Sequence, residues 1–202
     1  MNTVDFYFDC SSPWTFLGFE SLQQLISKRP DLEVSYKPIL VGGVFNTVNP
    51  SVYENRANPV PAKQKYYQKD LQDWARQVGV VIGQPPVFPV NSVRAMRGAL
   101  FADAHGRLVH YARQVFTRYW SDLQDISQLD VLHEIVVASD LDPTAFFTYI
   151  EAPACKAALR DNTTELVNRG GFGSPTFFLN GEDMYFGNDR MVLLAARLHP
   201  PT

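Results

Sequence analysis

The chain has 202 residues, 46% of them hydrophobic, and a formal net charge of −3. That length and apolar content suit a soluble globular protein with one sizeable core, either one domain or one domain with a large insertion. The charge balance leaves no electrostatic footprint for nucleic acid or an anionic membrane, and no apolar run approaches the roughly 20 residues of a membrane span.

Val4, Phe6 and Phe8 alternate within residues 3–8 and predict a strand. No basic region precedes an apolar stretch here, so no secretory signal is expected. Cys10 and Cys155 are the two cysteines and form no Cys-x-x-Cys pair. A reducing cytoplasm and no disulfide framework are therefore expected. Pro13 fits the first turn of a helix whose apolar stripe (Phe16, Leu17, Phe19, Leu22, Leu25, Ile26) continues to about Lys28. Leu32 to Tyr36 alternates again and ends at Pro38, a second strand. This β-α-β start predicts parallel pairing through a right-handed crossover.

Residues 42–61, with Gly42-Gly43, Asn49-Pro50 and Asn58-Pro59, read as a long aperiodic connection of the kind that carries function. A helical pattern resumes over 62–78, and an irregular link follows at Pro85-Pro86 and Pro89. Helices are then predicted over roughly 91–104, 107–121, 128–139, 143–151 and 152–169, with Asp142 as the N-cap and Pro143 as the first residue of one of them. Thr176–Leu179 and Met184–Phe186 predict two strands joined by Asn180-Gly181, a strong hairpin signal. A helix over 189–198 closes the chain.

Ser12-Pro13 stands where the first strand turns into a helix, and Ser174-Pro175 enters a later strand through a tight turn. A serine at such a junction can cap the helix, or it can offer its hydroxyl, beside free N–H groups, to an anion at the helix N-terminus. The thioredoxin architecture brings two such elements face to face, with a cysteine in the first position; here it is Ser12, and Thr15 takes the place of the partner cysteine. No disulfide exchange is possible at that position. The element order predicts an α/β, thioredoxin-like sheet split by an all-helical insertion, with residues 1–60 and 165–202 in the sheet domain and 61–164 in the insertion.

Other chemistry-bearing residues read as structural. Cys10 ends a central strand and is expected to be buried; Cys155 lies in a helical pattern. His133-Glu134 lacks the second histidine of a zinc helix, and His105, His110 and His199 stand apart from other ligand types, so no metal is expected. Gly170-Gly171-Phe172-Gly173 lacks the lysine and hydroxyl of a phosphate loop. Phe116, Tyr119, Trp120, Phe146, Phe147 and Tyr149 recur at helical spacing and read as core, and Asp70, Asp73 and Asp103 as solvated faces.

Seven segments in order carry a resemblance: Asp5 to Pro13, Lys37 to Phe45, Pro61-Ala-Lys63, Asp70 to Ala75, Phe88-Pro-Val-Asn91, Gly173-Ser-Pro-Thr-Phe177 and Phe186-Gly-Asn-Asp-Arg190. Through them the chain resembles the kappa-class glutathione transferases and the 2-hydroxychromene-2-carboxylate isomerases, both in the DsbA-like branch of the thioredoxin superfamily. The resemblance implies that Ser12 faces the sulfur of glutathione as the catalytic residue. It implies that Ser174, beside the cis-proline Pro175, pairs through its backbone with the glutathione peptide, and that Asn188 and Asp189 hold the γ-glutamyl end. Lys63 would meet a carboxylate of the tripeptide or substrate, with Asn55 and Asn91 as polar lining. Trp14 stands where the family has a smaller aromatic, and Cys10 and Ser11 where it is apolar.

Glutathione is thus the implied cofactor and a bicyclic aromatic carboxylate the implied small-molecule substrate, with Lys63 and Arg97 to meet its carboxylate and Trp14, Phe45 and Phe88 as walls. The leading reading is a glutathione-dependent isomerase of 2-hydroxychromene-2-carboxylate-type aromatic catabolites. A kappa-like transferase or peroxidase acting on electrophiles, a glutathione-binding or chaperone-like module without turnover, and a thiol oxidoreductase using Cys10 are the alternatives. The related enzymes are dimers, which implies a homodimer here.

Overall fold

A computed structural model describes residues 2–198. In chain order the elements are β1 (Asn2–Phe8), α1 (Pro13–Lys28), β2 (Leu32–Pro38), α2 (Val41–Val48), α3 (Ser51–Ala57), α4 (Pro61–Val78), α5 (Val93–Ala104), α6 (Leu108–Phe116), a π-helical turn (Thr117–Ser121), α7 (Leu129–Ala138), α8 (Pro143–Glu151), α9 (Pro153–Asn168), β3 (Thr176–Leu179), β4 (Asp183–Phe186), a 3-10 turn (Asn188–Arg190) and α10 (Met191–Arg197). The sheet runs β2-β1-β3-β4. β1 and β2 are parallel, in register from Asn2↔Leu32 to Phe8↔Pro38, as a β-α-β crossover requires. β1–β3 and β3–β4 are antiparallel, starting from Val4↔Leu179 and Thr176↔Phe186. Asn180 and Gly181 both take positive φ, 51° and 86°, to turn the β3–β4 hairpin. This is the expected DsbA-like thioredoxin fold.

β1 is central because both its faces are apolar. Val4, Phe6 and Phe8 point into the larger core with α1 and the helical block, while Tyr7 packs with Ile39, Val44, Leu166 and Phe178 on the other side. Phe6 stacks on Phe8 at 5.2 Å and on Phe177 at 4.8 Å between ring centroids. α1 lies so close to the Pro175 turn that a Cβ on Gly18 would fall 3.0 Å from Pro175 Cγ. α9 is continuous across residue 165: Leu159 belongs to the larger core and Leu166 to the smaller.

Two expectations are corrected. Residues 42–61 are not irregular; they hold α2 and α3, and the Asn-Pro pairs punctuate the helix ends instead of abolishing the helices. Val41 and Val44 are buried, so the short α2 is stabilised by tertiary packing that periodicity over eight residues cannot reveal. The helix expected over 107–121 changes character at Thr117, where a π-helical turn carries Tyr119 and Trp120 into the core. Asp142 caps α8 as expected, its Oδ1 accepting from Ala145 N at 2.7 Å. The Ser174–Pro175 bond is cis, and so is Phe88–Pro89, which the sequence did not suggest. His199 lies outside the described residues.

Candidate active site

The strand-to-helix junction and the cis turn meet at one corner. Ser12, extended at φ −108° and ψ 125°, is the N-cap of α1. Its Oγ accepts from Thr15 N at 3.3 Å and donates to the Ser174 carbonyl at 3.4 Å. The Ser174 hydroxyl is turned inward, pairing with Thr15 Oγ1 at 2.8 Å and accepting from Asp9 N at 3.1 Å. Among the described residues no acceptor is paired with the backbone N–H of Ser174 or of Trp14. The corner therefore presents a hydroxyl, a helix N-terminus and an open backbone N–H beside a loosely held carbonyl. Those are the groups that take up an anion and one residue of extended peptide.

Asp9, at the end of β1, organises the surroundings. It is 1% exposed; Oδ1 accepts from Ser11 N at 2.9 Å, and Oδ2 from Val41 N at 2.9 Å and Ser92 Oγ at 3.2 Å. One carboxyl group thus ties the loop before α1 to the starts of α2 and α5. Burial raises its pKa above the ordinary carboxylate value, against the hydrogen bonds from Ser11, Val41 and Ser92 that favour the charged form. Cys10 is buried as expected. Burial, then the neighbouring Asp9, push its thiol well above the usual range, so it has no thiolate to offer.

The rim is aromatic. Phe45 of α2 reaches Gly173, where a Cβ would lie in ordinary contact with it, 3.8 Å from Phe45 Cε1, but only 2.8 Å from Phe186 Cε2, so the glycine makes room for the Phe186 ring. Phe88 leans on Trp120 at 6.1 Å, and Trp120 Nε1 donates to the Cys10 carbonyl at 2.9 Å. Trp14 meets Tyr67 of α4 edge-on at 5.0 Å and donates its indole N–H to the Tyr67 hydroxyl.

Ser12, Trp14, Phe45, Phe88, Ser174 and Pro175 thus share one corner and its rim. Asn188 follows Gly187, whose φ is 99°, and its side-chain nitrogen is buried without a hydrogen-bond partner among the described residues. Asp189 pairs with Arg190. Lys63 is exposed in the first turn of α4, and Asn55 is exposed on α3. Asn91 is exposed just before α5, its Oδ1 accepting from Val93 N at 3.1 Å. Arg97 is not brought to the rim: its guanidinium lies between α8 and α9, 3.4 Å from the Ile150 carbonyl and 3.8 Å from Glu151. The packing of α5 on α8 turns it there. Sequence reasoning missed Asp9, Tyr67 and Arg56. Asp9 did leave a signal, an acidic residue closing an apolar strand; Arg56 was hidden inside the presumed irregular connection.

This geometry defines a class. The chain matches the DSBA-like thioredoxin domain over residues 3–199, and it belongs to that family. It is 32% identical over 204 residues to the 2-hydroxychromene-2-carboxylate isomerase of Pseudomonas putida, across 96% of this chain and 93% of that protein. Glutathione S-transferase kappa 1 of Caenorhabditis elegans is 25% identical over 213 residues, across 98% and 91%. Among solved structures, a selenomethionyl 2-hydroxychromene-2-carboxylate isomerase superposes with a TM-score of 0.81 at 26% identity, covering 96% of this chain and 93% of that one.

Proposed function

We propose that this protein is a glutathione-dependent isomerase of 2-hydroxychromene-2-carboxylate-type aromatic acids. The observation that carries the reading is the juxtaposition of the Ser12 hydroxyl, the α1 N-terminus and the open backbone of Ser174 in a corner without a reactive cysteine. The buried, unpartnered Nδ2 of Asn188 supports it, because an amide donor left unpaired costs free energy that a ligand carboxylate or carbonyl recovers.

Glutathione, when bound, supplies a thiolate that adds to a conjugated carbon and is expelled unchanged. Ser12 donates its hydroxyl hydrogen to the sulfur, and the α1 N-terminus adds its partial positive charge. Lowering a thiol pKa by one to two units takes only about 1.4–2.7 kcal/mol, which a charge-assisted hydrogen bond and a helix terminus supply between them. Ser174 pairs through its N–H and carbonyl with the cysteinyl backbone, Asn188 and Asp189 hold the γ-glutamyl end, and Lys63 meets a carboxylate of the tripeptide. Asn55 and Asn91 supply polar lining at the margin. Trp14, Phe45 and Phe88 wall the aromatic substrate and limit water. A homodimer working in the cytoplasm fits this reading.

The test is turnover of 2-hydroxychromene-2-carboxylate with glutathione, following both the absorbance of the substrate and the free thiol. Isomerisation with thiol conserved is expected. Thiol consumed in step with product would replace isomerase by transferase, the reading that the kappa relatives favour. No turnover and no binding of glutathione would remove both.

A further inference from the structure

We infer that Arg56 is the carboxylate-recognition residue of this site, held ready by two aromatic rings to take the planar carboxylate of an aromatic acid. The inference rests on the proposed function for its location and deepens it by naming the cation.

Arg56 is exposed on α3, yet no carboxylate or hydrogen-bond acceptor is paired with it among the described residues, unlike Arg76, Arg113, Arg169 and Arg190. Glu54, two positions away on the helix, faces elsewhere. What holds the guanidinium is aromatic: Arg56 Cζ lies 5.7 Å from the Phe45 centroid and 5.5 Å from that of Phe88. These rings come from different elements, α2 and the link before α5. The cation–π contacts fix a side chain that would otherwise be mobile and leave its N–H edges unspent.

The two rings also mark opposite edges of the corner. Phe45 reaches Gly173, beside Ser174, and Phe88 packs on Trp120, which binds the carbonyl of Cys10, two residues before Ser12. Arg56 spans the opening between them. Its charge also reaches Tyr67, the partner of Trp14 on the rim. A planar fork of donors flanked by ring faces matches a ligand that is itself a ring bearing a carboxylate: two parallel N–H···O bonds to the acid, and stacking for the ring. Arg97, turned toward α8 and α9, does not compete for this role, and Lys63 remains for the tripeptide.

The experiment compares 2-naphthoate with 2-naphthamide, of equal shape, by titration calorimetry in the presence of glutathione. Wild type should prefer the acid by about tenfold, the worth of one partly exposed charge-assisted pair. Arg56→Gln should bring the ratio near unity. Arg56→Lys, which keeps the charge and loses the fork, should fall between. Affinity for glutathione alone should stay the same in both variants. Wild type that binds neither probe or does not distinguish them, or an Arg56→Gln protein that keeps the preference, overturns the assignment. If the acid preference persists in a wild-type protein that does not bind glutathione, Arg56 keeps its role and the proposed function falls.

Discussion

The hydroxyls of Thr15 and Ser174 lie 2.8 Å apart, although 159 residues separate them in the chain. This contact fastens the first turn of α1 to the cis turn, and with the bond from Asp9 N it engages the Ser174 hydroxyl with two partners inside the protein. The backbone of Ser174 is what remains for a ligand. Thr15→Val keeps the shape and removes one partner, so it should cost about 1–2 kcal/mol. Ser174→Ala, which also orphans the buried Asp9 N–H, should cost more. A double-mutant cycle by urea unfolding should give coupling of about 1 kcal/mol; additive effects would mean that the contact contributes nothing.

Ser12→Ala should leave the fold intact while removing the hydroxyl donor. The bound glutathione thiol should then titrate about one unit higher than in wild type, equivalent to about 1.4 kcal/mol. Thiolate absorbance against pH checks this. An unchanged curve takes Ser12 out of the mechanism.

Asp9 predicts a pH dependence of stability. Its native pKa is raised, first by burial, so the native state binds this proton more tightly than the unfolded chain does. Its contribution is fullest below the ordinary carboxylate pKa and declines as pH climbs from there through the raised native value. Asp9→Asn removes that titration. The difference in unfolding free energy, wild type minus variant, should therefore fall with rising pH across the acidic range and then level off. Glu165 is held below its ordinary value: burial opposes this, and Tyr7, Lys37 and Arg169 overcome it. Being present in both proteins, it cancels from the difference. A flat or rising difference would contradict the raised value.

The parts of the molecule legible in the sequence were those governed by local pattern. The alternation of β1 and β2, the stripe of α1, the Asn180-Gly181 hairpin and the Asp142 cap all follow from spacing and turn chemistry. Ser12 and Ser174 were legible as a pair because each stands at a junction of recognisable kind. What escaped were features decided by distant contacts. α2 forms because Val41 and Val44 find a core, not because of its own propensity, and α3, which buries no residue, follows it between the two Asn-Pro pairs. Arg97 sits at a helical position that looked available until α8 and α9 packed over it. Arg56 gained its meaning only when α3 laid it across two rings from separate elements.

Gly98 tests whether the helical block and the corner are energetically separable. A Cβ there would fall 2.2 Å from Tyr111 Oη and 2.5 Å from Phe146 Cζ, both in the packed interior. Gly98→Ala should destabilise by about 1–3 kcal/mol despite the better helix propensity of alanine. Thermal unfolding measures this. Affinity for glutathione below the transition should be unaltered, and a large loss there would show that the block also positions the corner.

The most direct measurement is a crystal structure with glutathione bound. The account predicts the sulfur in hydrogen-bonding contact with Ser12 Oγ, and the cysteinyl backbone paired with the N–H and carbonyl of Ser174. Density for the tripeptide elsewhere on the surface, or none at saturating glutathione, would contradict it.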